Sequence, residues 1–238
     1  MDNSILFIFE AIVGLSLTLI AFRFGLSWII ALIAVQTILM NIFVLKTMNV
    51  FGMEITGGNV MYASIFLGTD MICEHYGKEK ARQAVLIGFS AAIFFIIMSQ
   101  FTMWYAPSSL GNGIFLHDTL ATVFQTTPRI VLASMASYLL SQNLDIYIYM
   151  AIKKATKSRF LWLRNNGATL ISQLFDSIFF TFAGLYGIVA NAENVWQIIL
   201  FTYMIKAFLA IIDTPFMYLS KMWPFRPHIQ ETTIEKNE

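Results

Sequence analysis

Several side chains with hydrogen-bonding or charged heads interrupt otherwise apolar stretches. Asp70 and Glu74 are four residues apart, so a helix places both carboxylates on one face. Gln142 and Asp145 are three apart, as are Gln173 and Asp176. Tyr203, Lys206 and Asp213 fall on one helical stripe. Glu10, Gln36, Asn41 and Arg129 complete the set. The Gln142–Asp145, Gln173–Asp176 and Lys206–Asp213 groups each aim an amide or a cation with a carboxylate in one direction. Such pairs suit recognition of a small polar solute, because a carboxylate accepts adjacent N–H donors and an amide supplies both a donor and an acceptor. One pattern occurs twice. Ser141-Gln142-Asn143-Leu144-Asp145 and Ser172-Gln173-Leu174-Phe175-Asp176 both read Ser-Gln-x-x-Asp, 31 residues apart.

The elements that must hold these residues are membrane helices. The chain has 238 residues, 58% apolar and 12% charged, about half the charged share of a soluble domain. Mean hydropathy is +0.68. Disorder is excluded by this composition, and a disulfide framework by the single Cys73. A net charge of +1 gives no electrostatic case for nucleic acid. Seven segments approach the roughly 20 apolar residues a span requires: 4–22, 27–47, 58–74, 84–104, 124–151, 167–190 and 196–220. Long apolar runs in lipid must pair their own backbone groups, so they are helices. The weak alternation of a membrane barrel is absent. The expected fold is an all-α bundle of about seven spans in a single domain over 1–238, with a polar tail at 223–238. Span 1 lacks a basic leader and reads as a retained helix. Charge buried in such spans faces a bundle interior or a wet cavity and marks function.

Twelve of the fifteen Lys and Arg fall on one side of a seven-span arrangement, in the loops 75–83 and 152–166, the tail and Arg23. The opposite loops, 105–123 and 191–195, hold none. The expectation is a cytoplasmic C-terminus and an outside N-terminus. Trp28, Trp104, Tyr105, Trp162, Trp196 and Trp223 mark the interfaces. Residues 105–122 read as a plain outer connector, and Asp213-Thr214-Pro215 as a kink in the last span. Ala133-x-x-x-Ser137 and Ala183-x-x-x-Gly187 are small-residue faces suited to close helix contact.

No phosphate-binding loop, nucleophile elbow, HExxH or zinc-ligand spacing is present. No cofactor and no metal site are expected. Neutral alternatives exist for several polar residues: Glu74 pairing with Lys78, Asp145 solvated beside Lys153 and Lys154, Lys206 neutralising Asp176 or Asp213. The leading class is a carrier. Behind it stand a binding subunit driven by a separate ATP-hydrolysing module, docked on Ala133 and Ser137, and an intramembrane enzyme using Asp70 and Asp176 as an acid pair. The Ser-Gln-x-x-Asp repeat on adjacent antiparallel spans fits the inverted repeats of carriers.

The segment Thr69-Asp70-Met71-Ile72-Cys73-Glu74-His75-Tyr76-Gly77-Lys78-Glu79-Lys80-Ala81-Arg82 resembles the signature of the queuosine precursor transporter (VUT) family. Three further blocks agree: Arg129-Ile130 with Ala133-Ser134 and Gln142-x-x-Asp145, then Ser172-Gln173-x-x-Asp176-Ser177 with Phe179-Phe180, then Lys206 with Asp213-Thr214-Pro215 and Tyr218. The resemblance covers about residues 28–222, with span 1 resembling an N-terminal extension. It implies uptake, across the cytoplasmic membrane, of 7-deazaguanine bases for tRNA queuosine synthesis: 7-cyano-7-deazaguanine, its aminomethyl derivative or queuine. For such a cargo, Asp176 is the first choice to accept the N1–H and exocyclic amine, and Asp70 the second. Gln173, Gln142, Asp145 and Asn41 would complete the hydrogen bonding. Phe179, Phe180 or Tyr203 would stack on the ring, and Arg129 and Lys206 would meet the carbonyl or balance the acids. The partners are the base and the lipid bilayer. A homodimer is compatible with the sequence.

Overall fold

A computed structural model describes residues 2–109, 111–124, 128–187, 193 and 195–222. Among these described residues there are eight α-helices and one small hairpin. Helix α1 (Asn3–Phe24) begins at Asp2, whose carboxylate accepts from the Ser4 amide at 3.1 Å. Only Gly25 separates it from α2 (Leu26–Phe43). Gly25 has φ 122°, and its N–H caps the Ala21 and Phe22 carbonyls. A side chain would strain that conformation, so the reversal depends on glycine.

Apolar residues continue past Phe43, which extends the expected span 2 to residue 47. The helix stops at Phe43 instead, and strands β1 (Thr47–Val50) and β2 (Met53–Thr56) pair antiparallel. Phe51 and Gly52 take φ 54° and 76°, the two left-handed positions of a tight hairpin turn. The hairpin sits at the N-terminal end of α1, where Asn3 Nδ2 donates to the Asn49 carbonyl and the Phe51 amide donates to Ser4 Oγ.

Helix α3 (Gly58–His75) is the centre of the molecule. Every residue from Gly58 to Cys73 except Met61 is buried. It touches α1, α2, α4, α6 and α8. Helix α1 comes in close at Gly14, where an added Cβ would stand 2.8 Å from Ser64 Oγ. Helix α4 (Lys78–Trp104) follows. The connector after it is not plain, because a short helix, α5 (Gly113–Phe124), forms there with no buried residue. It leans on α4 through Phe95 and Phe124, and Gln100 Nε2 donates to the Phe124 carbonyl at 3.0 Å.

Helices α6 (Pro128–Ala155) and α7 (Leu161–Phe180) pack along much of their length. Span 6 was expected to run to 190. The α-helix ends at Phe180 and gives way to a π-helical turn, Thr181–Leu185. The last helix, α8 (Val195–Met222), passes through Pro215 without an end. The stretch 188–192, residue 194 and the tail from Trp223 lie outside the described residues.

Among the described residues, five helices are long and apolar enough to cross a membrane: α1, α2, α4, α7 with its π turn, and α8. Helices α3, α6 and α7 carry most of the buried polar side chains. They lie inside, where burial of a polar group requires a partner that only neighbouring helices can provide. Leu17, Phe94, Leu132 and Ile211 point outward, as lipid-facing residues should. Trp28, Trp104, Tyr105, Trp162 and Trp196 are also exposed. The molecule is a multi-pass membrane protein.

Candidate functional site

Asp176 is the node of a cavity between α2, α3, α6, α7 and α8. Three other helices aim donors at its carboxylate. From α3, Tyr62 Oη donates to Oδ1 at 2.5 Å. From α6, Ser137 Oγ donates to the same oxygen at 2.6 Å. From α8, the Lys206 ammonium binds Oδ2. Lys206 Nζ also lies 4.5 Å from the centre of the Tyr62 ring, a cation–π contact. Ser141 Oγ meets Tyr62 Oη at 2.9 Å and holds the phenol in place. The Asp176 and Lys206 side chains are 6% and 9% exposed, so each charge is compensated mainly by the other. A carboxylate has about four lone-pair directions. Three are in use, and at least one remains for a ligand.

Phe180 and Tyr62 supply aromatic walls, and Asn59, Ser134 and Thr202 add polar edges. A second, much smaller recess, with room for about one water, continues inward. It shares Asn59, Tyr62 and Lys206 with the first and adds Thr169, Gln173 and Asp213. The mouth lies at the end holding the hairpin, because Thr56 and Gly58 line it.

The residues chosen from sequence divide by position. Asp176, Lys206, Phe180 and Gln173 meet at the cavities. Asn41 stands just behind the wall, donating to the Thr37 carbonyl and accepting from Ser134. Phe179 stacks on Phe175, with centroids 5.8 Å apart, and neither Phe179 nor Tyr203 lines these two cavities. Arg129 is exposed and caps the π turn through the Ala183 carbonyl at 2.8 Å and the Tyr186 carbonyl at 2.9 Å. Its cation is used on backbone, which removes it from the pocket. Gln142, Asp70 and Asp145 are fully buried deeper in the bundle. Gln142 Oε1 accepts from Thr69 Oγ1 at 3.0 Å, and Asp145 Oδ1 from Ser172 Oγ at 2.8 Å. Asp213 is held by Asn165 Nδ2 at 2.8 Å, so Lys206 neutralises Asp176 and not Asp213.

Tyr62 and Asn59 were not singled out from sequence. Their signal was there: Asn59, Tyr62, Phe66 and Thr69–Asp70 recur at helical spacing on the most buried helix. Two further expectations change. Ala133 and Ser137 face inward, Ala133 against Gly184 and Ser137 against Asp176, so they offer no docking face. Glu74 does not pair with Lys78.

Glu74 instead closes the opposite end of the bundle. Its carboxylate takes a forked pair from Arg164, Nη2 at 2.6 Å and Nε at 3.0 Å. It also takes Lys153 at 3.0 Å, Lys221 at 2.7 Å and Tyr149 Oη at 2.9 Å. One acid thus ties α3 to α6, α7 and α8. Arg164 additionally donates to the Ser158 and Arg159 carbonyls, fixing the loop before α7. Along α3, Tyr62 and Glu74 are twelve residues apart, about 18 Å of helix.

The family described as "Putative vitamin uptake transporter" matches residues 56–220. A "Probable queuosine precursor transporter" of Bacillus subtilis is 38% identical over 93% of this chain and 96% of its own length. The "Queuosine precursor transporter" of Escherichia coli is 27% identical over 72% of this chain and 75% of its own. A relative with the "Probable" form of that name in Haemophilus influenzae is 24% identical over 69% of this chain and 67% of its own. No solved structure matches the chain. The helical bundle, its inward-facing acids and these relatives agree: the chain belongs to the queuosine precursor transporter family, a family of membrane transporters and not of enzymes.

Proposed function

We propose that the protein imports a 7-deazaguanine base across the cytoplasmic membrane, binding it at Asp176. The observation that carries this reading is a desolvated carboxylate at a cavity reached from one end of the bundle and sealed from the other. A guanine-type edge presents N1–H beside an exocyclic amine, and a carboxylate accepts both. The base would replace Ser137 or Tyr62 as donor, with Phe180 and Tyr62 flanking the flat ring. Lys206 then remains to balance the acid or meet the base's carbonyl.

By the positive-inside rule, the sealed end, which carries the basic loops, would face the cytoplasm and the mouth the outside. The state described is therefore outward-open, and the Glu74 cluster is the inner gate of an alternating-access cycle. Import requires this cluster to part while the outer cavity closes.

The test is expression in cells unable to make queuosine precursors, supplied with 7-cyano-7-deazaguanine at nanomolar level. Queuosine in tRNA should rise with the wild-type chain and stay at background with Asp176→Asn at equal membrane abundance. No rise with the wild type would refute import. Full activity of Asp176→Asn would remove Asp176 from the site.

A further inference from the structure

The two copies of Ser-Gln-x-x-Asp end in opposite electrostatic surroundings. Asp176, in the α7 copy, is neutralised by Lys206. Among the described residues, Asp145, in the α6 copy, has no cation paired with it. Its carboxyl lies against that of Asp70, and Asp213 is close enough for its charge to be felt by both. All three side chains are buried: Asp145 belongs to a residue 0% exposed, Asp70 and Asp213 to residues 1% exposed. Among the described residues, neither Asp70 Oδ1 nor Asp145 Oδ2 has a hydrogen-bond donor.

Two carboxylates in contact in a dry interior cannot both stay ionised, because each charge is costly alone and repelled by the other. The other ionisable neighbours only add negative charge when they ionise. They are Cys73 on the same helix, Tyr149 on α6 and Asp213 on α8. The nearby cations are committed, with Lys153, Arg164 and Lys221 on Glu74 and Lys206 on Asp176. A proton resolves the conflict with no new ligand, one acid donating its O–H to the other. A metal ion is a poorer fit, since among the described residues no group of three or more His, Cys, Asp or Glu is placed to hold one.

Access is built in. Thr169, on α7, has a hydroxyl within reach of Asp145, yet that hydroxyl makes no well-formed hydrogen bond, and the residue is 2% exposed. Thr169 lines the inner cavity together with Gln173, whose Oε1 is also without a donor. Those two groups line a polar route from the Asp176 pocket toward the acids.

We propose that Asp70 and Asp145 share one proton and form a coupling site, distinct from the Asp176 pocket, at which a proton travels with each imported base. The proposal rests on the import reading given above. In the outward-open state the proton reaches the pair through the inner cavity. When the Glu74 cluster parts, the pair meets cytoplasmic water eight residues or less along α3 and α6, and the O–H bond breaks to release it there. The α3 path from Asp70 to Glu74 is one helical turn, about 6 Å.

Purified protein in liposomes separates the outcomes. Labelled 7-cyano-7-deazaguanine exchanging against unlabelled base, with no gradient, reports carriage alone. With an acidic exterior, one proton per base gives about tenfold accumulation for each pH unit. In Asp70→Asn and Asp145→Asn the ratio of pH-driven to exchange uptake falls to one. Exchange by the wild type with indifference to the pH gradient, or with dependence on a sodium gradient instead, overturns the proton site and leaves the carrier standing. Absence of wild-type exchange defeats the carrier reading, and infrared spectroscopy then still decides the acids. The wild type at neutral pH should show the carbonyl stretch of a protonated carboxylic acid that is lost in Asp145→Asn and displaced in Asp145→Glu. A wild-type spectrum without that band overturns the proposal, whatever the variants do.

Discussion

Asp176 and Lys206 are a desolvated pair, and such pairs are far more costly to break than they are stabilising to keep. Asp176→Asn leaves the Lys206 ammonium buried beside a neutral amide. The expected loss is about 3–5 kcal/mol, read as a lower unfolding midpoint in detergent. The double variant Asp176→Asn with Lys206→Met should recover most of that loss and still not restore queuosine in tRNA. Recovery of transport in the double variant would mean that the pair serves stability alone. Tyr62→Phe keeps the ring and removes one donor from a charged acceptor, worth about 1.5–3 kcal/mol. Base binding should weaken by a comparable amount, measured as a raised half-saturation concentration for uptake. Both charges were legible in sequence, because nothing but a partner explains them in an apolar run. Tyr62 was not, since a tyrosine at helical spacing reads equally as packing, and only the meeting with Asp176 from 114 residues away gives it a role.

The long apolar runs announced helices, and the spans expected at 4–22, 58–74 and 196–220 coincide closely with α1, α3 and α8. Departures arose where apolar content and backbone geometry disagree. Residues 44–56 are apolar enough to extend a helix, but Phe51-Gly52 takes left-handed angles that a helix cannot contain, and a hairpin results. Helix α5 is only twelve residues long, too short to register as a span, and so it read as part of a connector. The burial of α3 makes two element-level predictions. Gly14→Val drives side-chain atoms into Ser64 at the α1–α3 contact and should cost about 1–3 kcal/mol of stability, seen in the unfolding midpoint. The sole cysteine, Cys73, is fully buried one residue before Glu74 and is a built-in reporter of the sealed end. Glu74→Gln removes the acid that holds three cations together. Alkylation of Cys73 by a membrane-permeant thiol reagent should then speed up, as it should in the wild type during turnover with the base. An unchanged rate in both would show that this end does not open as a gate.

As a whole, the bundle gathers its buried polar side chains mainly between α3, α6, α7 and α8 and is asymmetric along its axis. The Asp176 cavity opens beside the hairpin, and four helices converge on Glu74 at the other end. The sequence indicated the two ends through its basic loops and the interior through its misplaced charges. It did not assign the acids to separate depths, because spacing along one helix says nothing of the cation or carboxyl that a neighbour brings. Asp176 meets Lys206 and Asp145 meets Asp70 only after folding. The most direct measurement is a structure with 7-cyano-7-deazaguanine bound. The account predicts the base between Tyr62 and Phe180, with its N1–H and amine on the Asp176 carboxylate. A base seated away from Asp176, or on the lipid-facing side of α7, would contradict it.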